Sequence, residues 1–166
     1  MIVAIEGIDA SGKETQATLL KVWALDNADE MCIHDVRIQD FPDYKNVTGK
    51  YIDELLKGEW EIVANELGKN ALTKATVMQC LMITNRLEHG KMLSEYAGDP
   101  FSLLILDRYY ASGQVYGRAD GLPVDWLEAI HFLVPDPDLW IFVDISVDES
   151  FRRRPDRQDY YERNRT

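Results

Sequence analysis

Short apolar runs punctuate the chain at Ile2-Val3-Ala4-Ile5, from Met31 to Ile38, at Leu103-Leu104-Ile105-Leu106, and at Leu139-Trp140-Ile141-Phe142-Val143. Runs of this length, bounded by turn residues, predict strands, and near-continuous apolar ones predict strands of a parallel sheet covered on both faces. Between them the spacing changes to three and four. A helix is expected after Lys13, running to about Leu25, and another from about Val47 to Lys57. Residues 70 to 96 read as one or two long helices whose core face carries Ala75, Met78, Leu81, Met82 and Leu87. Pro42 stops regular structure after the second run, and Pro135-Asp136-Pro137 introduces the last strand. Strands alternating with helices predict a doubly wound parallel α/β sheet with helices on both faces.

The turn behind the first strand carries the chemistry. Gly7-Ile8-Asp9-Ala10-Ser11-Gly12-Lys13 joins a strand to a helix that reads as amphipathic. Gly7 and Gly12 permit backbone angles that let successive N–H groups turn inward as an anion nest. Lys13 adds a point charge, and the helix that starts there directs its positive end to the same place. Strand, glycine loop and helix in this order satisfy the context expected of a P-loop. Where that motif places a metal-binding hydroxyl, this chain has Glu14, followed by Thr15. A carboxylate beside phosphates would repel them by up to about 4 kcal/mol at about 4 Å in an effective dielectric of about 20. Glu14 therefore either takes part in holding Mg²⁺ or faces solvent on the first helical turn, where a carboxylate is favourable in any case.

With 166 residues, 46% of them apolar, the chain is sized for one domain. Its net charge of −11 and pI near 4.6 argue against a nucleic-acid polymer as partner, while leaving a small nucleotide compatible. Cys32 and Cys80 lie in apolar stretches without metal-ligand spacing and read as reduced core thiols of a cytoplasmic protein. No apolar run approaches a membrane span and no leader is evident, so a soluble protein is expected. His34, His89 and His131 have no ligand-like spacing; Trp60, Trp126 and Trp140 read as core or dimer-interface residues.

Taken together, the motifs resemble thymidylate kinases, within the P-loop nucleoside-monophosphate kinase superfamily. The resemblance rests on Ile5-Glu6-Gly7-Ile8-Asp9 with Thr15-Gln16, on Phe41-Pro42-Asp43 with Gly49-Lys50, on Asn85-Arg86 with Glu88, and on Asp107-Arg108-Tyr109 with Ser112-Gly113. Pro137-Asp138-Leu139 and Val143-Asp144 also fit, so nearly the whole chain is covered. It implies phosphoryl transfer from ATP to a deoxynucleoside monophosphate, dTMP above others, with Mg²⁺, by a homodimer. Gly7 to Thr15 would hold ATP, with Asp9 between donor and acceptor and Lys13 on the donor phosphates. Arg108 would contact the acceptor phosphate and Arg86 the base. Phe41, Pro42, Tyr44, Met82, Ser112, Gly113 and Tyr116 complete the implied acceptor site. Asp107 would either order a metal-bound water or serve as a capping or salt-bridging residue beside Arg108. Arg152, Arg153, Arg154 and Arg157, followed by Asp159-Tyr160-Tyr161-Glu162, resemble the family's lid at about 150–162, against the plainer reading of a solvated basic tail.

The chain departs from the family pattern in places. Tyr44, with Lys45 beside it, stands where an Arg is common, and Met82 aligns with a position that usually stacks an aromatic ring on thymine. Tyr109 or Tyr116 would then supply aromatic contact, and Gln114 could read a base edge. The C-terminus reads as shortened. Two alternatives follow from the same residues: a deoxynucleoside kinase, for which Glu6 is the best candidate base, and a nucleotide-binding protein without turnover.

Overall fold

The computed structural model describes residues 1–59 and 71–155. Its contacts divide the chain into two compact units, each discontinuous in sequence: residues 1–41, 89–109 and 134–155 form the first, and residues 42–88 and 110–133 belong to the second.

The first unit is built on a parallel sheet of β1 (Ile2–Glu6), β2 (Asp35–Asp40), β3 (Ser102–Asp107) and β4 (Leu139–Phe142) in the order β2-β3-β1-β4. Register is set by Val3 opposite Ile105 and Leu139, and by Val36 opposite Leu103. Every residue of β1 is buried, as is β3 up to Leu106, which accounts for their unbroken apolar sequences. The helix α1 (Lys13–Asp26) lies on one face, where Ala17 and Ala24 meet Val3, Ile5, Val36, Leu103 and Ile105. The short α2 (Ala28–Met31) follows it, α5 (Gly90–Gly98) packs near β3 and buries Met92, Leu93 and Tyr96, and α8 (Val147–Arg153) ends the described part of the unit.

The second unit is helical among the described residues. It contains α3 (Val47–Lys57), α4 (Ala71–Leu87), α6 (Tyr110–Ala119) and α7 (Val124–His131). Ile52 and Leu55 of α3 pack on Met78 of α4, with Leu81 and Met82 at the margin. Ala75, Leu122 and Leu127 form a second cluster beside Trp126. Gly117 lets α6 approach α7, since a Cβ there would lie 2.7 Å from Leu127.

Several expectations need correction. The second strand does not begin at Met31. Ala28 to Met31 are helical, Cys32 turns the chain in the left-handed region at φ 54°, and the strand starts at Asp35. Cys32 and Cys80 are both exposed free thiols, not core residues. The helix α1 buries alanines and turns Leu19, Val22, Trp23 and Leu25 outward, so its apolar residues do not form one core stripe. Leu87 is exposed as well. Among the described residues β4 is an edge strand: Leu139, Trp140 and Phe142 are exposed, whereas β1 between its two neighbours is not. Helices α6 and α7 were not foreseen in the pattern. Trp60, Arg157, Asp159, Tyr160, Tyr161 and Glu162 lie outside the described residues. No described helix is long and apolar enough to cross a membrane.

Candidate nucleotide-binding site

At the carboxyl end of β1 the backbone reverses through three positive φ angles, at Gly7 (154°), Ala10 (55°) and Gly12 (101°). Gly7 is fixed as glycine for a second reason: an added Cβ would come 2.6 Å from the carbonyl oxygen of Val143 and 2.8 Å from Ser11 Oγ. Ala10 is the unforeseen member, because no glycine marks it in the sequence. The Ser11 N–H closes the turn on the Ile8 carbonyl at 3.2 Å, and Lys13 Nζ donates to the same oxygen at 2.9 Å. The ammonium is thus folded into the loop. Burial lowers the Lys13 pKa, and Arg108 lowers it further, against the raising influence of Asp107, Asp9 and Glu6. Glu14 and Thr15 are exposed on the first turn of α1, where the Glu14 carboxylate complements the helix dipole.

The end of β3 supplies the facing groups. Asp107 closes the strand opposite Ile5 and Asp40. Burial raises its pKa, opposed by Lys13 and Arg108 and reinforced by Asp40 and Glu14. Arg108 follows with φ 64°, and its guanidinium donates to the Gly7 carbonyl at 3.1 Å and pairs with the Asp9 carboxylate. Tyr109 is fully buried: its hydroxyl donates to the Pro135 carbonyl at 3.1 Å, and its ring meets Phe41 and Trp140. Tyr109 is therefore core, which removes it as an aromatic contact for a base. Phe41 is buried in the same cluster, edge-on to His89.

The helix α8 reaches this loop from the other end of the sequence. Ser150 Oγ donates to the Asp9 carbonyl at 2.6 Å, and Arg153 Nη1 to the carbonyls of Ala10 and Ser11 at 3.1 and 3.3 Å. Glu149 holds Arg152 and Arg153 through bonds of 2.6 to 2.7 Å. Sequence reasoning singled out the arginines and missed Ser150 and Glu149. A signal existed: Ser146-Val147-Asp148-Glu149 has capping-box spacing, and Ser146 Oγ does accept the Glu149 N–H at 3.2 Å.

In the second unit the expected residues occupy a different setting. Asn85 is fully buried and makes three bonds: its Oδ1 accepts the Asp43 N–H at 2.7 Å, and its Nδ2 donates to the Asp43 carbonyl and Thr48 Oγ1 at 3.1 and 3.0 Å. The neighbouring Arg86 is buried, Met82 sits at the margin of the α3–α4 core, and Tyr44 is exposed. Gly113 faces Gln79 Oε1 and His131 Nε2, each 2.9 Å from where a Cβ would stand. Both of those atoms are buried with no hydrogen-bond partner among the described residues. Burial lowers the His131 pKa, and Arg86 adds to that. Ser112, Gln114 and Tyr116 lie on α6 at intermediate exposure. Of the three histidines, His131 is core and His34 exposed, and no cluster of three or more His, Cys, Asp or Glu among the described residues could hold a metal ion.

A parallel sheet whose first strand leads through a left-handed, lysine-filled nest into a helix defines the P-loop class of nucleotide-binding proteins. Within it, the chain belongs to the thymidylate kinase family, whose sequence model matches residues 5–166. A Pyrococcus horikoshii relative, named as a probable thymidylate kinase, is 33% identical over 151 residues, covering 91% of this chain and 68% of the relative. The thymidylate kinase of Caenorhabditis elegans is 28% identical over 92% of this chain and 66% of its own. Among solved structures, thymidylate kinase from Candida albicans superposes with a TM-score of 0.69 at 25% identity, covering 97% of this chain and 70% of that one. The chain thus spans about two thirds of the length of these relatives.

Proposed function

We propose that this protein transfers the γ-phosphoryl group of ATP to dTMP, giving dTDP and ADP. The observation that carries the reading is the nest of Gly7 to Lys13 with Lys13 folded into it and the Asp9–Arg108 pair alongside, in a chain of the thymidylate kinase family. Loop N–H groups and Lys13 hold the donor phosphates, and Arg108 holds the acceptor phosphate, with Asp9 between them. An acceptor phosphate oxygen bonds to the γ-phosphorus while the bond to the β–γ bridging oxygen breaks, its electron pair leaving with ADP. No strong nucleophile is required. Positioning and neutralisation of phosphate oxygens supply the catalysis, and guanidinium groups at Arg108 and Arg153 suit that work. The bonds of Lys13 and Arg153 to loop carbonyls are ones a polyphosphate would replace.

The family reading includes Mg²⁺, and the donor chemistry fits it in part: Asp107, a hard oxygen donor whose pKa burial raises, closes β3 opposite Asp40 of β2. Asp107, with Glu14 as its companion, would hold the ion, which when bound screens charge between phosphate oxygens. On the acceptor side we assign Phe41, Pro42, Tyr44, Met82, Arg86, Ser112, Gly113 and Tyr116 to the nucleoside, as the resemblance implies. Buried Arg86 supports a hydrogen-bonding role toward the base, and Met82 supports packing against a ring. A homodimer acting in the cytoplasm belongs to the same reading. Glu6 gives little support to a deoxynucleoside kinase, because its carboxylate already accepts the Tyr109 N–H at 2.8 Å.

A coupled ADP-release assay with ATP, Mg²⁺ and dTMP, dUMP, dGMP or thymidine tests the proposal. Selective turnover of dTMP is expected, with Lys13→Met and Arg108→Ala each removing at least about 99% of it. Turnover of thymidine but not dTMP would establish a nucleoside kinase, and nucleotide binding by calorimetry without ADP release would leave a binding protein.

A further inference from the structure

Arg108 is a non-glycine residue in the left-handed region, at φ 64°. A side chain at such an angle is sterically disfavoured and persists where the surroundings over-determine it. Two hydrogen bonds, one on each side of the Arg108 Cα, do so here. The Arg108 N–H donates to the Ile5 carbonyl at 3.0 Å, and the Tyr109 N–H donates to Glu6 Oε1 at 2.8 Å. Both acceptors belong to the last two residues of β1. Glu6 is itself immobilised, since it is only 8% exposed and its own carbonyl accepts the Val143 N–H at 2.8 Å.

The orientation of the peptide after Arg108 decides where the guanidinium goes. With the peptide as observed, the side chain reaches the Gly7 carbonyl and the Asp9 carboxylate. If the Tyr109 N–H lost its acceptor, the backbone at Arg108 would relax toward right-handed or extended angles and carry the guanidinium away from the loop. A buried carboxylate is disfavoured unless its oxygens are bonded, so its presence at a strand end calls for a function. As acceptor it makes this bond charge-assisted and stronger than an amide or hydroxyl would.

We propose that Glu6 is a positioning residue that acts through the Tyr109 N–H to hold Arg108 in its left-handed conformation, and so aims the Arg108 guanidinium at the acceptor phosphate. The inference rests on the acceptor role proposed above for Arg108, and it assigns Glu6 no proton transfer. A glutamine at position 6 keeps an oxygen acceptor without the charge; a leucine keeps bulk and removes the acceptor.

The test compares Glu6→Gln and Glu6→Leu, alone and in an Arg108→Ala background, by steady-state kinetics with dTMP and ATP varied separately. Expected for Glu6→Leu is a rise in KM for dTMP of about tenfold or more with KM for ATP within about twofold, because a misplacement near 1 Å is felt at the displaced group. Glu6→Gln recovers most of that loss, and Glu6→Leu adds nothing once Arg108 is alanine. Equal damage from Gln and Leu, or additivity with Arg108→Ala, overturns the proposal. Two structural readouts are independent of activity. A crystal structure of Glu6→Leu should show Arg108 out of the left-handed region, and unchanged φ overturns the proposal even if Arg108 proves not to bind the acceptor. Should that variant not fold, hydrogen exchange on the wild-type protein and Glu6→Gln decides: a protected Tyr109 amide in both supports the assignment, and rapid exchange in the wild type refutes it.

Discussion

The loop from Gly7 to Lys13 in the first unit and the loop from Asp43 to Thr48 in the second are both tightly held, but by groups at different distances along the chain. In the first, local groups set the path, with Ser11 N–H and Lys13 Nζ both reaching the Ile8 carbonyl and positive φ angles setting the rest, while Arg108, Ser150 and Arg153 brace its outward carbonyls from afar. In the second, Asn85 reaches back 42 residues to bind both backbone groups of Asp43, and Glu88 binds the Thr48 hydroxyl at 2.8 Å. Gly49 lies against the same turn. A loop that carries its own conformation can be read from its spacing and can lose side chains without losing its path. A loop whose two ends are tied by Asn85 and Glu88 from a distant part of the chain has neither property.

The strongest way to break this comparison is to disturb the second loop, first by crowding its backbone and then by removing its distant hold. A Cβ at Gly49 would stand 1.9 Å from the Asp43 carbonyl oxygen and 2.6 Å from Tyr44 Cα, both backbone atoms that cannot swing away. Gly49→Ala is expected to destabilise by about 3 kcal/mol or more. Asn85→Ala strips three bonds from a fully buried position and is expected to cost about 2–4 kcal/mol, lowering Tm by roughly 5–15 °C. Gly12→Ala meets no atom within 4 Å and has only its φ of 101° to strain it, an effect of about 1–2 kcal/mol. Thermal unfolding of the three variants gives the ranking. If Gly12→Ala equalled Gly49→Ala, the first loop would not be the self-sufficient one.

Lys13 sharpens the point, because it separates holding a loop from using it. Its pKa is lowered, first by burial, so the folded state disfavours the charged form relative to the unfolded chain. That unfavourable contribution is present at neutral pH and fades as pH rises through the lowered folded pKa toward the ordinary 10.5. Lys13→Met should therefore abolish turnover while leaving Tm unchanged or raising it by roughly 1–4 °C at pH 7. The gain should shrink as the scan is repeated at alkaline pH. A Tm lowered by Lys13→Met would mean that the bond to Ile8 is needed to hold the nest.

The same distinction explains what could be read from the sequence. The P-loop, the parallel sheet and the span of α3 were legible because each is encoded in contiguous residues: a glycine spacing, an apolar run, a three-four pattern. Arg108 was found through its motif, yet its left-handed backbone was not, since no glycine marks it and its cause lies in Glu6 and Ile5 about a hundred residues earlier. Ala10 hid in the same way. Asn85 was noticed as part of a motif, but its work on Asp43 is visible only once α4 is folded. The apolar residues of α1 and β4 misled because hydrophobicity was read as burial; Trp23 and Phe142 face outward, whereas Ala17 and Ala24 make the contact with the sheet. Cys32 was misplaced with its strand, because a one-turn helix and a left-handed residue interrupt what reads as one run.

The smallest expected effect concerns α8, which with Arg108 grips the first loop from far along the chain. Glu149 takes bonds from Arg152 and Arg153, and Arg153 in turn donates to the carbonyls of Ala10 and Ser11. The Arg152 bond first, and then the Arg153 bond, lower the Glu149 pKa from 4.5 to about 2. A carboxyl whose folded pKa is depressed contributes stability above its unfolded value, and loses it as pH falls through the folded one. The contribution should thus be complete at pH 7 and gone near pH 2. The arginines are solvent-exposed and Glu149 partly so, so screening limits the pairs, and Glu149→Gln should move Tm by no more than about 2 °C at pH 7, less in high salt. Ser150→Ala, which removes a nearly buried bond to the Asp9 carbonyl, should cost about 1 kcal/mol and exceed it. A Glu149→Gln shift as large as that of Asn85→Ala would place the P-loop with the other loop, among structures held from a distance, and the comparison would fail.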